Sequence, residues 1–263
     1  MMFLFSTSSG DVYAGDGDDV INGGDGHDIL DGGAGNDILI GGVEWGESID
    51  GGEGSDTLTG SNGDDTVNGG DGDDTYVVGS LGDVIIETSG TDTVRSSITL
   101  TLGDGLENLQ LLGLLDISGT GNAASNEIIG NAGDNLLDGR GGADVLTGGR
   151  GEDGFVISRN DGSIDLINDF TANEDMVLID AVEFGLFDLT TLTGYTQGTG
   201  SSSNFATVTN GVSSNADAQF VFNLDTRILS VDDDLQDSTA ARDVVALSDN
   251  AADLTATDLY VLL

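Results

Sequence analysis

Gly23-Gly24-Asp25-Gly26-His27-Asp28-Ile29-Leu30-Asp31 and the next stretch, Gly32-Gly33-Ala34-Gly35-Asn36-Asp37-Ile38-Leu39-Ile40, are two copies of one nine-residue sentence. It reads GGxGxDxUx, with U a large apolar residue. Working outward, the same sentence fills Ala14 to Val77, in units that begin at Ala14, Gly23, Gly32, Gly41, Gly51, Gly60 and Gly69. The unit from Gly41 to Asp50 carries one extra residue near Glu44 or Trp45, and Glu47 stands where Asp is expected. A period kept this strictly is the mark of a repeat architecture, in which stacked units share one continuous core.

The chemistry of each slot says what the repeat is built to hold. Glycines at slots one, two and four allow tight turns with positive φ and a close approach of backbone carbonyls to a cation. The candidates at slots two and four are Gly15, Gly17, Gly24, Gly26, Gly33, Gly35, Gly52, Gly54, Gly63, Gly70 and Gly72. Slot six supplies a hard anionic oxygen, the donor that Ca²⁺ takes in sets of six to eight. Slots seven to nine form a short strand whose inward residue is slot eight: Ile21, Leu30, Leu39, Ile49, Leu58, Val67 and Tyr76. If each unit is half a coil, residues eighteen apart stack. One row then holds Asp19, Asp37, Asp56 and Asp74, and the other holds Asp28, Glu47 and Asp65. Stacked carboxylates repel unless a cation lies between them. A solvated acidic tract would have no reason to keep phase. Several Ca²⁺ ions are the expected cofactor.

On these motifs the chain resembles the repeats-in-toxin (RTX) family, the haemolysin-type calcium-binding proteins that bacteria secrete. The resemblance implies an all-β fold: a Ca²⁺-binding parallel β-roll, a right-handed β-solenoid, in two repeat blocks, followed by a C-terminal antiparallel β domain. It also implies export by a type I secretion transporter to the extracellular space. It names no activity, because such rolls accompany proteases, lipases, epimerases, toxins and adhesins.

The phase continues beyond Val77. Asp83 with Ile85, and Asp92 with Val94, follow at nine-residue steps, so the first block is expected over residues 1–95 with weaker sites at its end. Residues 96–120 read as linking strands, on the alternation Ser97-Ile98-Thr99-Leu100-Thr101-Leu102. Leu106 to Leu115 is leucine-rich, and a short amphipathic helix is the alternative there. A second block is expected over 121–170, with units from Gly121, Gly130, Gly139 and Gly148. Its slot six reads Asn126, Asn135, Asp144 and Asp153. Each eighteen-residue pair there brings one charge rather than two, which lowers calcium affinity. An asparagine ladder that satisfies backbone amides without an ion is the competing reading.

Residues 171–263 are expected to form the C-terminal β domain. Ile164 to Phe170 and Met176 to Ile179 look like strands that close the roll, and Asn210-Gly211 is a hairpin signal. Phe220 to Leu224 and Ile228 to Val231 alternate around Asp225-Thr226-Arg227. The tail, Asp258 followed by five apolar residues to Leu263, resembles the uncleaved type I export signal. It also fits a final core strand.

Composition narrows the function classes. The 263 residues carry a net charge of −42, and all six basic residues are arginine. That rules against a nucleic-acid surface and against an anionic membrane as direct partner. Cysteine and proline are absent, so no disulfide or thiol chemistry is available. The opening Met1-Met2-Phe3-Leu4-Phe5 is too short and lacks the basic flank of a cleaved signal. No apolar run reaches membrane-spanning length.

No catalytic residue is assigned. His27 is the only histidine and falls in slot five, which points outward. There is no HExxH, no G-x-S-x-G elbow and no lysine. The expected function is a secreted, non-enzymatic structural or binding module that folds on extracellular Ca²⁺. Repeats that open within fifteen residues of Met1 fit an alternative, the C-terminal part of a larger enzyme or toxin. An adhesin or surface-layer component, with a cell-surface or glycan partner, is the other.

Overall fold

The computed structural model describes residues 1–6, 8–43, 46–158 and 162–180. Beyond these it describes Phe205–Thr209, Val212–Ser213, Phe220–Asn223, Arg227 with Ile228–Val231, Arg242–Leu247 and Leu259–Leu262. The extra residue near Glu44 and Trp45, the hairpin turn at Asn210-Gly211, the turn residues Asp225 and Thr226, and Asp258 of the tail lie outside them. The described residues form strands and turns with no helix. Two compact units result, Met1–Leu112 and Gly113–Leu263.

In the first unit the nine-residue units alternate between two parallel sheets. Phe3–Phe5, Val20–Gly24, Ile38–Gly42, Thr57–Ser61, Thr75–Val78, Thr93–Ser96 and Asn108–Leu111 make one sheet. Asp11–Asp16, Ile29–Ala34, Ser48–Glu53, Thr66–Asp71 and Val84–Ile86 make the other. Register follows the repeat: Ile21 opposes Leu39 and Ile49 opposes Val67, eighteen residues on. Register on either side of the extra residue is kept: Leu30 opposes Ile49 and Leu39 opposes Leu58.

Slot eight forms the core. Ile21, Leu30, Leu39, Leu58 and Val94 have no exposed surface, and Ile49 and Tyr76 have almost none. Slot seven turns outward, which leaves Ile29 and Ile38 exposed. Leu106 to Leu115 contains the strand Asn108–Leu111, which pairs with Thr93–Ser96 and carries buried Leu109 and Leu111 inward.

The second unit repeats the plan and then departs from it. Gly119–Thr120, Leu136–Asp138, Gly154–Ile157 and Met176–Asp180 are parallel neighbours, and Leu259–Leu262 adds to the last of them. Glu127–Ile129, Val145–Thr147 and Asp165–Ile167 form the opposing sheet. Arg242–Leu247 extends it in parallel, and Ile228–Val231 then pairs antiparallel with Arg242–Leu247 and with Phe220–Asn223. The expected antiparallel strands are therefore present. The solenoid runs on beneath them through residues 165–167 and 176–180, and Phe205–Thr209 meets Phe220–Asn223 in parallel.

Candidate metal centre

Each turn of the first unit places one slot-six carboxylate inside the wall of the solenoid. Asp19, Asp28, Asp37, Glu47, Asp56, Asp65, Asp74 and Asp92 are all at least nine-tenths buried. The backbone explains how they are held. From Asp37 on, one oxygen of each aspartate accepts the N–H of the slot-six residue one coil earlier. Asp19 N–H donates to Asp37 Oδ1 at 2.7 Å, Asp37 to Asp56 at 2.7 Å, Asp56 to Asp74 at 2.8 Å and Asp74 to Asp92 at 2.7 Å. In the other row Glu47 N–H donates to Asp65 Oδ1 at 2.8 Å, and Asp65 to Asp83 at 3.2 Å.

The second oxygen has no such partner. Oδ2 of Asp28, Asp37, Asp56, Asp65, Asp74 and Asp92, and both oxygens of Glu47, are buried without a hydrogen bond. An unsatisfied buried carboxylate oxygen is among the costlier features a fold can carry. Here it recurs with the period of the repeat. Beside the unpartnered oxygens of Asp28, Asp37, Asp56, Asp65 and Asp74 lies a slot-one glycine. A methyl group on Gly32 would overlap Asp37 Oδ2 and the carbonyl oxygen of Gly51, and one on Gly51 would overlap Asp56 Oδ2 and be crowded by the Gly69 carbonyl. Carboxylate oxygens and backbone carbonyls thus converge on the space that a side chain would fill.

The glycines divide this work. Slots two and four hold the left-handed turn, as at Gly33 (φ 98°) and Gly35 (φ 134°). Slot one keeps an ordinary φ and is glycine for lack of room. The expected positive φ therefore applies to slots two and four only.

The electrostatics point the same way. Burial, followed by neighbouring carboxylates, pushes Glu47 up to about 8. Burial is also the main cause for Asp56, raised to about 6, and Asp92, raised to about 7. Asp37, Asp74 and Asp83 are raised for the same reason. These groups resist carrying charge where they are, unless a cation offsets desolvation and mutual repulsion. The donors are all oxygens, and the single histidine, His27, is exposed in slot five. An all-oxygen set of carboxylates and carbonyls suits Ca²⁺ and not the softer metals. The residues fit the ion.

In the second unit the slot-six residues differ in what their side chains do. Asn126 and Asn135 are buried and accept the N–H groups of Asn122 and Asn131, four residues earlier, at 2.8 and 2.7 Å. Asn135 also donates to the Ile117 carbonyl at 2.8 Å. Asp144 resembles the first unit: its Oδ2 is unpartnered and burial raises it to about 7. Asp153 is likewise buried and raised to about 6.

Sequence phase did not reveal three members of these rows. Asp165 accepts the Asp144 N–H at 3.0 Å and Asp175 accepts the Asp153 N–H at 3.0 Å, twenty-one and twenty-two residues on. Glu107 accepts the Asp92 N–H at 2.8 Å, fifteen residues on. The signal was a shorter one: an acidic residue two places before a buried apolar residue, as in Asp165/Ile167, Asp175/Val177 and Glu107/Leu109. Asp83 is only half-buried, and both its oxygens accept backbone N–H groups, from Asp65 and from Ser80.

No curated protein matches the chain. The family model described as the RTX calcium-binding nonapeptide repeat matches in four copies, over residues 11–43, 50–85 and 120–155. Those segments contain most of the buried slot-six residues, Glu47 and Asp92 excepted, so period, geometry and family model coincide: the chain carries RTX-type calcium-binding nonapeptide repeats.

Proposed function

We propose that the chain is a secreted, non-enzymatic module whose solenoid folds when it meets extracellular calcium after type I export. The observation that carries this reading is the periodic set of unpartnered oxygens at Asp28, Asp37, Glu47, Asp56, Asp65, Asp74, Asp92 and Asp144. In the calcium-loaded protein these oxygens, with the slot-one and neighbouring carbonyls, hold the ions. Bound calcium supplies the positive charge that lets adjacent coils stack. At low calcium, as in the bacterial cytosol, the repeats lack that charge and the chain stays unfolded enough to be exported.

The C-terminal tail is the proposed export address. Its strand Leu259–Leu262 pairs with Val177–Asp180, so an emergent tail would be read before that pairing forms. The test has two readouts on the full chain. Calorimetry should detect several calcium ions per chain, and circular dichroism should show β-structure developing over the same calcium range. Deleting Leu259 to Leu263 should abolish secretion through a type I transporter while leaving calcium binding by the first unit. Normal secretion of the truncated chain would refute the export assignment. Native β signal in excess chelator at pH 8 would refute calcium-driven folding.

A further inference from the structure

From Gly23 to Gly69 slot one is glycine because the slot-six side chain of its own unit crowds it, joined at Gly23, Gly32, Gly41 and Gly51 by a backbone carbonyl. In the stretch Glu87-Thr88-Ser89-Gly90-Thr91-Asp92-Thr93-Val94-Arg95 the phase puts Glu87 there. Its side chain turns inward instead of being expelled. Ligand oxygens of Asp74, Glu87 and Asp92 lie within 4.8 Å of one another. Asp74 and Asp92 are 1% and 0% exposed, and the Oδ2 atom of each is buried without a hydrogen bond. Glu87 is anchored from the far side: its Oε1 accepts the N–H groups of Thr88 and Ser89, and its Oε2 accepts the hydroxyl of the buried Tyr76. The Tyr76 hydroxyl and Asp74 Oδ2 would both overlap a methyl group on Gly69.

We propose that Asp74, Glu87 and Asp92 form a side-chain-built site for a hard divalent cation, with Glu87 as a third carboxylate ligand that no regular repeat offers. The proposal rests on the calcium reading and goes further, because it makes this site chemically unlike the others. Two oxygens on opposite sides of one Ca²⁺ stand about 4.6–5.2 Å apart, so the 4.8 Å limit fits a shared ion. Three carboxylates raise the ligand charge above that of the two-aspartate pairs, and ligand charge is what tunes affinity in oxygen sites. The Glu87 carboxylate keeps one lone pair, on Oε2, for an ion while it accepts its three hydrogen bonds. Trivalent lanthanides should favour this site still more, and the Tyr76 ring is placed to sensitise terbium emission there.

The discriminating substitution is Glu87→Gly, because glycine is what the repeat itself uses at slot one. If Glu87 only occupies a turn, Glu87→Gly restores the regular motif and calcium binding holds or improves. If Glu87 is a ligand, one site of the full chain weakens by about tenfold in calorimetry, and tyrosine-sensitised terbium emission falls. Glu87→Gln provides the second variant. It retains an oxygen for the Thr88 and Ser89 amides and should show the same loss. Asp37→Asn serves as the reference within the regular row. Unchanged calcium affinity and terbium emission in both Glu87 variants would overturn the site while leaving the repeats as calcium binders. Absence of calcium binding in the unaltered chain and in Asp37→Asn alike would instead overturn the broader reading.

Discussion

The turn at Asp37 and the turn at Asn135 occupy the same place in the repeat and are held shut by different means. Around Asp37, glycines at slots two and four take positive φ, and the carboxylate keeps one oxygen buried and unpartnered. Around Asn135, slot two is Asn131, whose own side-chain oxygen accepts the N–H of Gly133 at 2.8 Å. Asn131 in turn donates its backbone N–H to Asn135. The Asn122/Asn126 turn is built identically, with Asn122 accepting from Ala124 at 2.8 Å. Such side-chain turns satisfy the backbone locally. One kind of turn waits for a cation, and the other carries its own closure. The lesson is that a single backbone path can be specified with or without metal, and that asparagines at slots two and six together decide which.

Removing calcium should therefore separate the two kinds of turn, and this is the largest effect expected. At free calcium ten times the dissociation constant each site adds ~1.4 kcal/mol, and about six independent sites add roughly 8 kcal/mol, on the scale of a whole domain. With one apolar residue inward per nine, the first unit has little else to offset chain entropy and the repulsion within a −42 chain. Hydrogen exchange during a chelator titration should show protection lost from Val20–Gly24 through Thr93–Ser96 before it is lost from Glu127–Ile129 and Leu136–Asp138. Simultaneous loss would mean that the asparagine turns do not replace the ion.

The second effect is a reversed pH dependence in the calcium-free chain. Asp56, Asp92, Asp144, Asp153 and Glu47 are raised above the ordinary 3.8 or 4.5 to between about 6 and about 8, chiefly by burial. The folded state then binds more protons than the unfolded one, so stability falls as pH rises between about 4 and 8. In chelator, β-structure should increase as pH is lowered from 8 towards 5, opposite to ordinary acid denaturation. Calcium and protons compete for the same oxygens, so apparent calcium affinity should drop over the same window. Circular dichroism at fixed chelator and calorimetry at two pH values check both. A calcium-free chain that loses structure on acidification would show that these carboxylates are paired some other way.

Point substitutions sharpen the contrast on a smaller scale. Asp37 sits mid-row between Asp19 and Asp56, so Asp37→Asn should weaken two sites and cost about 3 kcal/mol at that calcium level. Asn126→Asp adds a carboxylate to a turn already closed by Asn122, and should change stability in calcium by less than about 1 kcal/mol. Asp25 is exposed in slot three, and Asp25→Ala should be silent to within about 0.5 kcal/mol. Equal losses for Asp37 and Asp25 would break the phase assignment.

How much of this the sequence disclosed follows from what carries the information. Slot eight, the two rows and the eighteen-residue register were legible because period alone places Ile21 against Leu39. The extra residue in the fourth unit did no harm, since register is kept on either side of it, with Glu47 buried and Ile49 opposite Leu30. Asp165 and Asp175 were lost when the turns before them lengthened, although the spacing to Ile167 and Val177 survived. Glu87 was illegible for a different reason. Phase assigns slot one a steric role, and only side-chain placement shows that a carboxylate there reaches Asp74 and Asp92. The asparagine turns were foreseen as one of two readings, and their hydrogen bonds favour the ladder.

The smallest effect tests what the two units share. Slot two demands positive φ in the glycine turns, yet Ser61 in the first unit stands there at φ 82° and Arg140 in the second at φ 66°. A residue with a side chain pays about 1–2 kcal/mol in that region, whereas glycine returns about 0.5–1 of it as greater freedom in the unfolded chain. Ser61→Gly and Arg140→Gly should each stabilise by about 0.5–1 kcal/mol in saturating calcium, a rise of a few degrees in melting temperature. Backbone strain does not depend on which ion the neighbouring carboxylate holds. The two gains should therefore be alike, although Asp65 and Asp144, four residues on in each unit, have different neighbours. Thermal melts in calcium decide it. Stabilisation in one unit and destabilisation in the other would show that the shared backbone path is not held by the same local conformation. The contrast drawn from the Asp37 and Asn135 turns would then have to extend to slot two itself.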